Sequence, residues 1–90
     1  MISGTHLLPG QKAIAYVAAL GGTKESSVIG TALRTSVVNA ALAGGMLAHA
    51  DETDDSHAPS RNHPGCAVVP AALAVAEKAH ASGESLLCAV

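Results

Sequence analysis

The segment TSVVNAALAGGMLAHADETDDSHAPSRNHPG, residues 35–65, joins an apolar run to the one polar stretch of the chain. Thr35 or Ser36 is a suitable N-cap, and the run behind it predicts a helix to about Ala50. Residues at three- and four-residue spacing share one face of this helix, namely Val38, Leu42, Gly45 or Met46, and His49. The glycine pair at 44–45 costs such a helix about 1 kcal/mol per residue, a cost that is tolerable if another helix must approach closely there.

Further helices are predicted on both sides of this segment. Upstream, Gln11–Leu20 follows Pro9, a residue that suits a first helical turn, and Gly21-Gly22 then stops the helix. The short β-branched run Ser27–Gly30 predicts an extended stub and not a sheet strand.

Downstream of the polar stretch, a third helix is predicted from Val69 or Pro70 to His80, and a fourth segment begins at Ser82. The third helix is apolar on nearly every face, which is typical of a helix buried inside a larger body. The expected fold is therefore all-α, with about four helices and a polar loop between the second and the third.

The composition predicts that these helices form part of a larger domain. The chain has 90 residues, of which 19 are Ala and only one, Tyr16, is aromatic. A domain this short buries only roughly 60% of its unfolded surface, and large side chains usually supply most of a core. We therefore expect residues 1–90 to be a fragment of a large helical domain that extends beyond both ends.

Charge and hydropathy exclude several classes of protein. Five basic residues and a net charge of −2 cannot provide a surface for nucleic acid. The longest apolar runs, 35–48 and 65–76, are shorter than the roughly 20 residues that span a bilayer, and the first residues do not resemble a signal peptide. Two cysteines form no disulfide framework, so we expect reduced thiols and a cytoplasmic location.

Ionisable side chains concentrate in residues 49–63. They comprise four carboxylates, three histidines and one cation: Asp51, Glu52, Asp54, Asp55, His49, His57, His63 and Arg61. Their spacing matches no recognised metal motif, so no metal is predicted. Acid–base catalysis is the favoured interpretation, and His63 is the strongest candidate because Pro64 stiffens the chain directly after it. The carboxylates would repel an anionic substrate unless cations from outside the chain offset them.

Structural roles are the alternative for several of these residues. His49 would pack at the end of its helix, and Asp54, Asp55 and Ser56 would be turn and cap residues. Both cysteines, Cys66 and Cys88, are expected to be inert core thiols. Tyr16 is expected to pack with its hydroxyl in water.

Four stretches, taken in order, resemble the MmgE/PrpD family. They are AALGGTKESSVIG (18–30), NAALAGGMLAHADETDDSH (39–57), NHPGCAVVPAALAVAE (62–77) and ASGESLLCAV (81–90). The family pattern runs close to NAALxNGxxxHxLDFDDTH and then HPxxxVxPAALAxAE. The match covers nearly the whole chain, and the combination is more specific than any single piece.

The resemblance implies roles for particular residues. The catalytic carboxylate, hydroxyl and histidine of the family fall on Glu52, Ser56 and His63, and substrate contacts would come from Asp54, Asp55 and His57. The chain departs from the family pattern at three positions, with Glu52 in place of Asp, Thr53 in place of Phe and Gly44 in place of Asn. Because the first change lengthens the side chain, Asp51 or Asp54 remains an alternative for the carboxylate.

The family includes 2-methylcitrate dehydratase, cis-aconitate decarboxylase and iminodisuccinate epimerase. The resemblance therefore implies a cofactor-independent lyase or isomerase that acts on a di- or tricarboxylate, most closely a 2-methylcitrate dehydratase. It also implies a homodimer whose helical domain is accompanied by a smaller α/β domain. The alternative is a non-catalytic helical fragment that docks on a partner through the third helix.

Overall fold

Four α-helices and a minimal two-stranded sheet make up the fold, and the computed structural model describes all of residues 1–90. After a 3-10 turn at Ser3–His6, the elements follow in the order α1 (Leu8–Leu20), β1 (Ser26–Ser27), β2 (Arg34–Thr35), α2 (Val37–His49), α3 (Pro64–Ala79) and α4 (Gly83–Ala89). The predicted helical class, with four helices and a polar loop between α2 and α3, is confirmed. No helix here combines the length and the apolar character needed to cross a membrane.

The predicted start signals of α2 and α4 act as N-caps. The Ser36 hydroxyl accepts a hydrogen bond from the Asn39 N–H, and the Ser82 hydroxyl accepts one from the Ser85 N–H. At the end of α1, Gly21 adopts a φ of 66°, which a glycine tolerates at low cost. These boundaries follow from local chemistry, which is why the sequence predicts them well.

The start of α3 was predicted wrongly. The helix begins at Pro64 and not at Val69 or Pro70. Pro70 lies inside the helix. Pro64 suits the first turn because its missing N–H would have no partner there, and the Asp55 side chain accepts a hydrogen bond from the Gly65 N–H at 2.8 Å. At Pro70 the missing N–H leaves the carbonyl of Cys66 without its usual partner four residues on.

A second correction concerns the run Ser27–Gly30. Ser27 belongs to β1, which pairs antiparallel with β2 through the registers Ser26–Thr35 and Ser27–Arg34. The buried Ser26 hydroxyl also donates a hydrogen bond to the Ala74 carbonyl of α3 at 2.7 Å. A strand of two residues has no periodicity to detect, so the sequence could not indicate its partner.

The core is small, and it uses a face of α2 other than the predicted one. Its fully buried members are Val17 of α1, Val28, and Ala43 and Leu47 of α2. The predicted apolar face instead points outward, with exposed fractions of 72% for Val38, 46% for Leu42 and 40% for Met46. The inward face carries Leu47 among small residues, and both α1 and α3 pack against this helix. Likewise the third helix, expected to be buried, exposes Val75 at 58%.

The glycine pair of α2 lies at the contact with α3, as predicted. A Cβ on Gly44 would be 2.8 Å from Cβ of Pro70, and a Cβ on Gly45 would be 3.0 Å from the Cys66 carbonyl oxygen. Both distances are shorter than ordinary van der Waals contact. The two helices therefore reach their observed separation only because these positions lack side chains.

Two ion pairs fasten the segment between α1 and α2 to α3. Glu77 of α3 accepts hydrogen bonds from the Ser27 N–H at 2.7 Å, the Ser27 hydroxyl at 2.8 Å and the Arg34 guanidinium at 2.8 Å. The Ser27 N–H and hydroxyl, followed by Arg34, hold the pKa of the Glu77 carboxyl below its usual value. Lys78 pairs with Glu25 at 3.0 Å, and Glu25 also accepts the Val37 N–H at 3.1 Å.

Replacing Gly44 with Ala tests the helix contact. Ala favours a helix by about 1 kcal/mol, whereas overpacking a fixed contact typically costs about 1–3 kcal/mol. We expect Gly44→Ala to lower the free energy of unfolding, measured by chemical denaturation. The matched control is Gly83→Ala, where an added Cβ meets nothing within 4 Å, and its stability should be equal to or above that of the parent. A Gly44→Ala variant as stable as the parent would show that the helices can separate freely.

Glu77→Gln tests the anchor between α3 and the sheet. The loss of charge-assisted hydrogen bonds should reduce the free energy of unfolding by about 1–3 kcal/mol at neutral pH. Because the pKa of Glu77 is lower in the folded chain than its usual 4.5, its contribution is complete above that pH and is lost as the pH falls through the lowered value. The variant should therefore lose less stability on acidification than the parent does.

The control for this experiment is Glu84→Gln in the first turn of α4, where the carboxylate has no ion pair. Denaturation curves from neutral pH down to about pH 3 would make the comparison. An acid dependence that is identical in the parent and in Glu77→Gln would contradict the assignment.

Candidate functional site

The polar loop, residues 50–63, brings the end of α2 next to the start of α3. A β-bridge between His57 and Asn62 closes the loop, and the His57 N–H donates a hydrogen bond to the Asn62 carbonyl at 2.9 Å. Glu52 and Arg61 have positive φ angles of 54° and 53°, which place them in tight turns. Since α2 and α3 are fixed by the glycine contact, the loop presents its side chains from a defined position.

Asp54 lies at the centre of a cluster of side chains formed by His49, Asp54, His63 and Cys66. Its side chain is 6% exposed, and its Oδ2 lies 3.0 Å from Nδ1 of His49 and 3.7 Å from Nδ1 of His63. The hydrogen bond from His49 is the main reason why the pKa of Asp54 lies below its usual range, and it outweighs the opposing effect of burial. The carboxylate is thus an acceptor, and Nδ1 of His49 donates to it.

The geometry around His63 fixes which ring nitrogen carries its proton. Nδ1 of His63 lies 2.7 Å from the backbone carbonyl oxygen of Asp55. A carbonyl oxygen can only accept, so Nδ1 is the donor and Nε2 of the neutral ring carries the free lone pair. The side chain is 45% exposed. The loop therefore holds His63 in the tautomer that offers Nε2 as a base.

Asp55 supports this arrangement with both its backbone and its side chain. The carbonyl accepts from His63, and Oδ1 accepts from the Gly65 N–H in the first turn of α3. A carboxylate at a helix start also interacts favourably with the helix dipole. The predicted alternative role of Asp55 as a cap residue is confirmed.

The structure does not join the other two predicted catalytic side chains to His63. Glu52 is exposed and forms no ion pair or side-chain hydrogen bond, although it lines an open hollow of about 250 Å³ with Pro9, Met46, His49 and Ala50. Ser56 is also exposed, and its hydroxyl has no partner within the chain. Both groups are free to contact a ligand.

His57 belongs to a separate network in the turn. Its Nδ1 lies 2.6 Å from the Ser60 hydroxyl, which in turn donates to Oδ1 of Asn62 at 2.9 Å. Asp51 is held similarly, because it accepts hydrogen bonds from the hydroxyls of Ser3 and Thr53. These contacts stabilise the loop, and those from Ser3 and then Thr53 lower the pKa of Asp51.

Two members of the cluster were not predicted from the sequence as functional. His49 is 52% exposed at its side chain and bonded to Asp54, so the expectation of a packed histidine is wrong. Cys66 lies in the first turn of α3, and its thiol donates to the His63 carbonyl at 3.0 Å. Burial, and then the nearby Asp54 carboxylate, raise the pKa of this thiol.

Two further side-chain predictions concern Cys88 and Tyr16. Cys88 is exposed, which contradicts its prediction as a core thiol. Tyr16, expected to pack with its hydroxyl in water, is 56% exposed.

No cation neutralises the carboxylates of the loop. Arg34 and Lys78 form their ion pairs with Glu77 and Glu25, outside the loop. The only basic groups within 4 Å of a loop carboxylate are His49 and His63, and both lie near Asp54. An apolar groove of about 390 Å³ lies beside the cluster between α2 and α3, and it is lined by Ala41, Leu42, Gly45, Met46, His49, Cys66 and Ala67. The site therefore combines an anionic loop with an apolar wall.

Comparison with known proteins gives one match. The family described as the MmgE/PrpD N-terminal domain matches residues 1–90. Comparison with curated proteins found no match, and neither did comparison with solved structures. Since the family match spans the whole chain, with the polar loop and both of its flanking helices, this protein belongs to the MmgE/PrpD N-terminal domain family.

Proposed function

We propose that this chain forms the N-terminal helical part of a cofactor-independent lyase or isomerase that acts on a di- or tricarboxylate. The reaction proposed is a dehydration like that of 2-methylcitrate. The observation that carries the proposal is the hydrogen bond from Nδ1 of His63 to the Asp55 carbonyl. In the neutral ring it leaves the lone pair on Nε2, and the side chain is 45% exposed, as a general base requires.

In the proposed step, Nε2 of His63 takes a proton from the carbon next to a substrate carboxylate. The electron pair of that C–H bond forms the carbon–carbon double bond, and the hydroxyl on the adjacent carbon leaves as water with the proton that His63 has taken. The ring becomes an imidazolium 3.7 Å from Oδ2 of Asp54. A buried carboxylate at this distance favours the charged ring and so lowers the barrier.

Ser56 and Glu52 are proposed to act on the substrate. The Ser56 hydroxyl has no partner within the chain, so it is available to donate to a substrate carboxylate. Glu52 lines the hollow beside His49 and is proposed to assist proton transfer from there. For Asp54 and Asp55, we propose that they orient His63, since their side chains are already engaged.

The charge of the loop implies that the substrate-binding cations lie elsewhere in the enzyme. A tricarboxylate would face Asp51, Glu52, Asp54 and Asp55 with only Arg61 in the loop to offset them. Like charges at this density disfavour binding. We therefore propose that basic side chains outside this chain complete the site, in the homodimer that the family resemblance implies.

The first test is His63→Ala in the enzyme that contains this chain, assayed with 2-methylcitrate. Loss of a general base typically reduces turnover by about 10²- to 10⁴-fold, and we expect kcat to fall within that range. His6→Ala is the matched control because that exposed histidine lies in the N-terminal 3-10 turn. Unchanged turnover in His63→Ala would overturn the assignment.

Ser56→Ala tests the contact with the substrate carboxylate. A hydrogen bond to a charged group contributes about 1.5–3 kcal/mol, so KM should rise by about ten-fold or more while the fold is unaffected. Thr23→Ala provides the control, since its exposed hydroxyl lies before β1 and outside the polar loop. Equal KM values for Ser56→Ala and the parent would place the carboxylate elsewhere.

A non-catalytic docking role is the second candidate function. It is supported by apolar side chains that are exposed on α3 and after α4, namely Val75 at 58% and Val90 at 57%. Comparing the parent with His63→Ala separates the two functions. A docking fragment would bind its partner in both proteins, and neither protein would show turnover.

A further inference from the structure

We propose that His49, Asp54 and Cys66 form a binding site for a zinc ion. One potential ligand atom from each residue lies within 4.8 Å of the other two. The residues come from three different elements: the last residue of α2, the polar loop and the first turn of α3. Their spacing of 5 and 12 positions matches no metal motif, which explains why the sequence did not predict the site.

Asp54 carries an unused ligand atom. Its Oδ2 is occupied by His49, but its Oδ1 is buried and accepts no hydrogen bond. A buried polar atom without a partner is unfavourable unless a donor or a cation reaches it. The Cys66 thiol lies 3.0 Å from the His63 carbonyl and also interacts with the Asp54 carboxylate, so it is the one nearby side chain that competes with a metal for this position. A bound metal ion would give this buried carboxylate oxygen a partner.

The charge around the cluster also favours a cation. The loop carries four carboxylates, and none of them forms an ion pair with Lys or Arg. A bound divalent ion would neutralise Asp54 and a Cys66 thiolate directly. It would also reduce the repulsion from the neighbouring loop carboxylates.

The donor set selects the kind of ion. Imidazole nitrogen, thiolate sulfur and carboxylate oxygen together suit Zn²⁺, whereas Mg²⁺ and Ca²⁺ prefer oxygen alone. Zinc bonds of about 2.0–2.3 Å in a tetrahedron separate the ligand atoms by roughly 3.3–3.8 Å. The three side chains therefore need to close by up to about 1.5 Å, and the fourth position is open to water.

Binding requires only a proton exchange. Cys66 must lose its thiol proton to solvent, and the sulfur then bonds to the ion in place of hydrogen. Nδ1 of His49 must also give up its hydrogen bond to Asp54, with its proton moving to Nε2, before its lone pair can bind the ion. No oxidation or reduction takes place. The ion would connect the end of α2 to the start of α3 across the base of the polar loop.

The experiment measures metal binding directly and does not depend on the proposed reaction. The chain is stripped with chelator, and Zn²⁺ binding is followed by titration and by elemental analysis after dialysis. Co²⁺ then serves as a spectroscopic probe, because a cobalt–thiolate bond gives a charge-transfer band in the near ultraviolet. We expect one ion per chain, a thiolate band with Co²⁺, and a higher unfolding midpoint with Zn²⁺.

The chain provides a matched pair of cysteine variants. Cys66→Ser should abolish the thiolate band and reduce Zn²⁺ affinity by at least ten-fold, whereas Cys88→Ser, an exposed thiol in α4, should retain both. His49→Ala should also reduce the affinity, with the helical content checked by circular dichroism. Substoichiometric zinc in the parent, or equal binding by Cys66→Ser and Cys88→Ser, would overturn the proposal. These results would leave the role of His63 in turnover untouched.

Discussion

The contact between α2 and α3 at Gly44 and Gly45 is the constraint on which the rest of the structure depends. Added Cβ atoms would lie 2.8 Å from Pro70 and 3.0 Å from the Cys66 carbonyl, so side chains here would push the helices apart. Close packing brings the last residue of α2 to the first turn of α3. Within that gap the polar loop has little freedom, and the centroids of the His49 and His63 rings lie 5.2 Å apart.

Charges are divided between two parts of the molecule with different purposes. Beside the sheet, the acidic groups Glu25 and Glu77 have cationic partners and hydrogen bonds to backbone N–H groups. In the polar loop, the acidic groups have hydroxyl, histidine or backbone N–H partners, or none, and none of them pairs with Lys or Arg. Paired charges fasten an element in place, whereas an uncompensated set attracts a cation or a proton. This contrast distinguishes the structural end of the chain from its candidate site.

Asp54 connects the two proposals. Through Oδ2 it orients His49 and lies near His63, and through the buried Oδ1 it offers a ligand position that the protein itself does not fill. A carboxylate with two inequivalent oxygens can support a histidine base and also take part in a metal site. The thiol of Cys66 adds a second link, because it contacts the backbone of His63 directly. Occupation by zinc would therefore change the support of the catalytic histidine without requiring that the ion take part in the reaction.

The sequence by itself determined the helical class, the family, the starts of α2 and α4 to within a residue, and the glycine contact of α2. Each of these depends on residues close together in the chain, or on side-chain size at one position, and such information is local. It also indicated His63, because a histidine before a proline in a polar loop is visible without coordinates. The strand partner of Ser27, the face of α2 that turns inward, and the start of α3 were not determined in this way. They depend on contacts between distant residues, such as Asp55 with Gly65 and Ser26 with Ala74.

Only the tertiary structure decided what the loop side chains do. The sequence places four carboxylates and three histidines within fifteen residues, but it does not say which of them meet. Packing of α2 against α3 selected His49, Asp54, His63 and Cys66, left Glu52 and Ser56 exposed, and directed His57 into the turn. The physical reason is that hydrogen bonds act over about 3 Å. Composition therefore sets which groups are available, and helix packing sets which of them are close enough to act together.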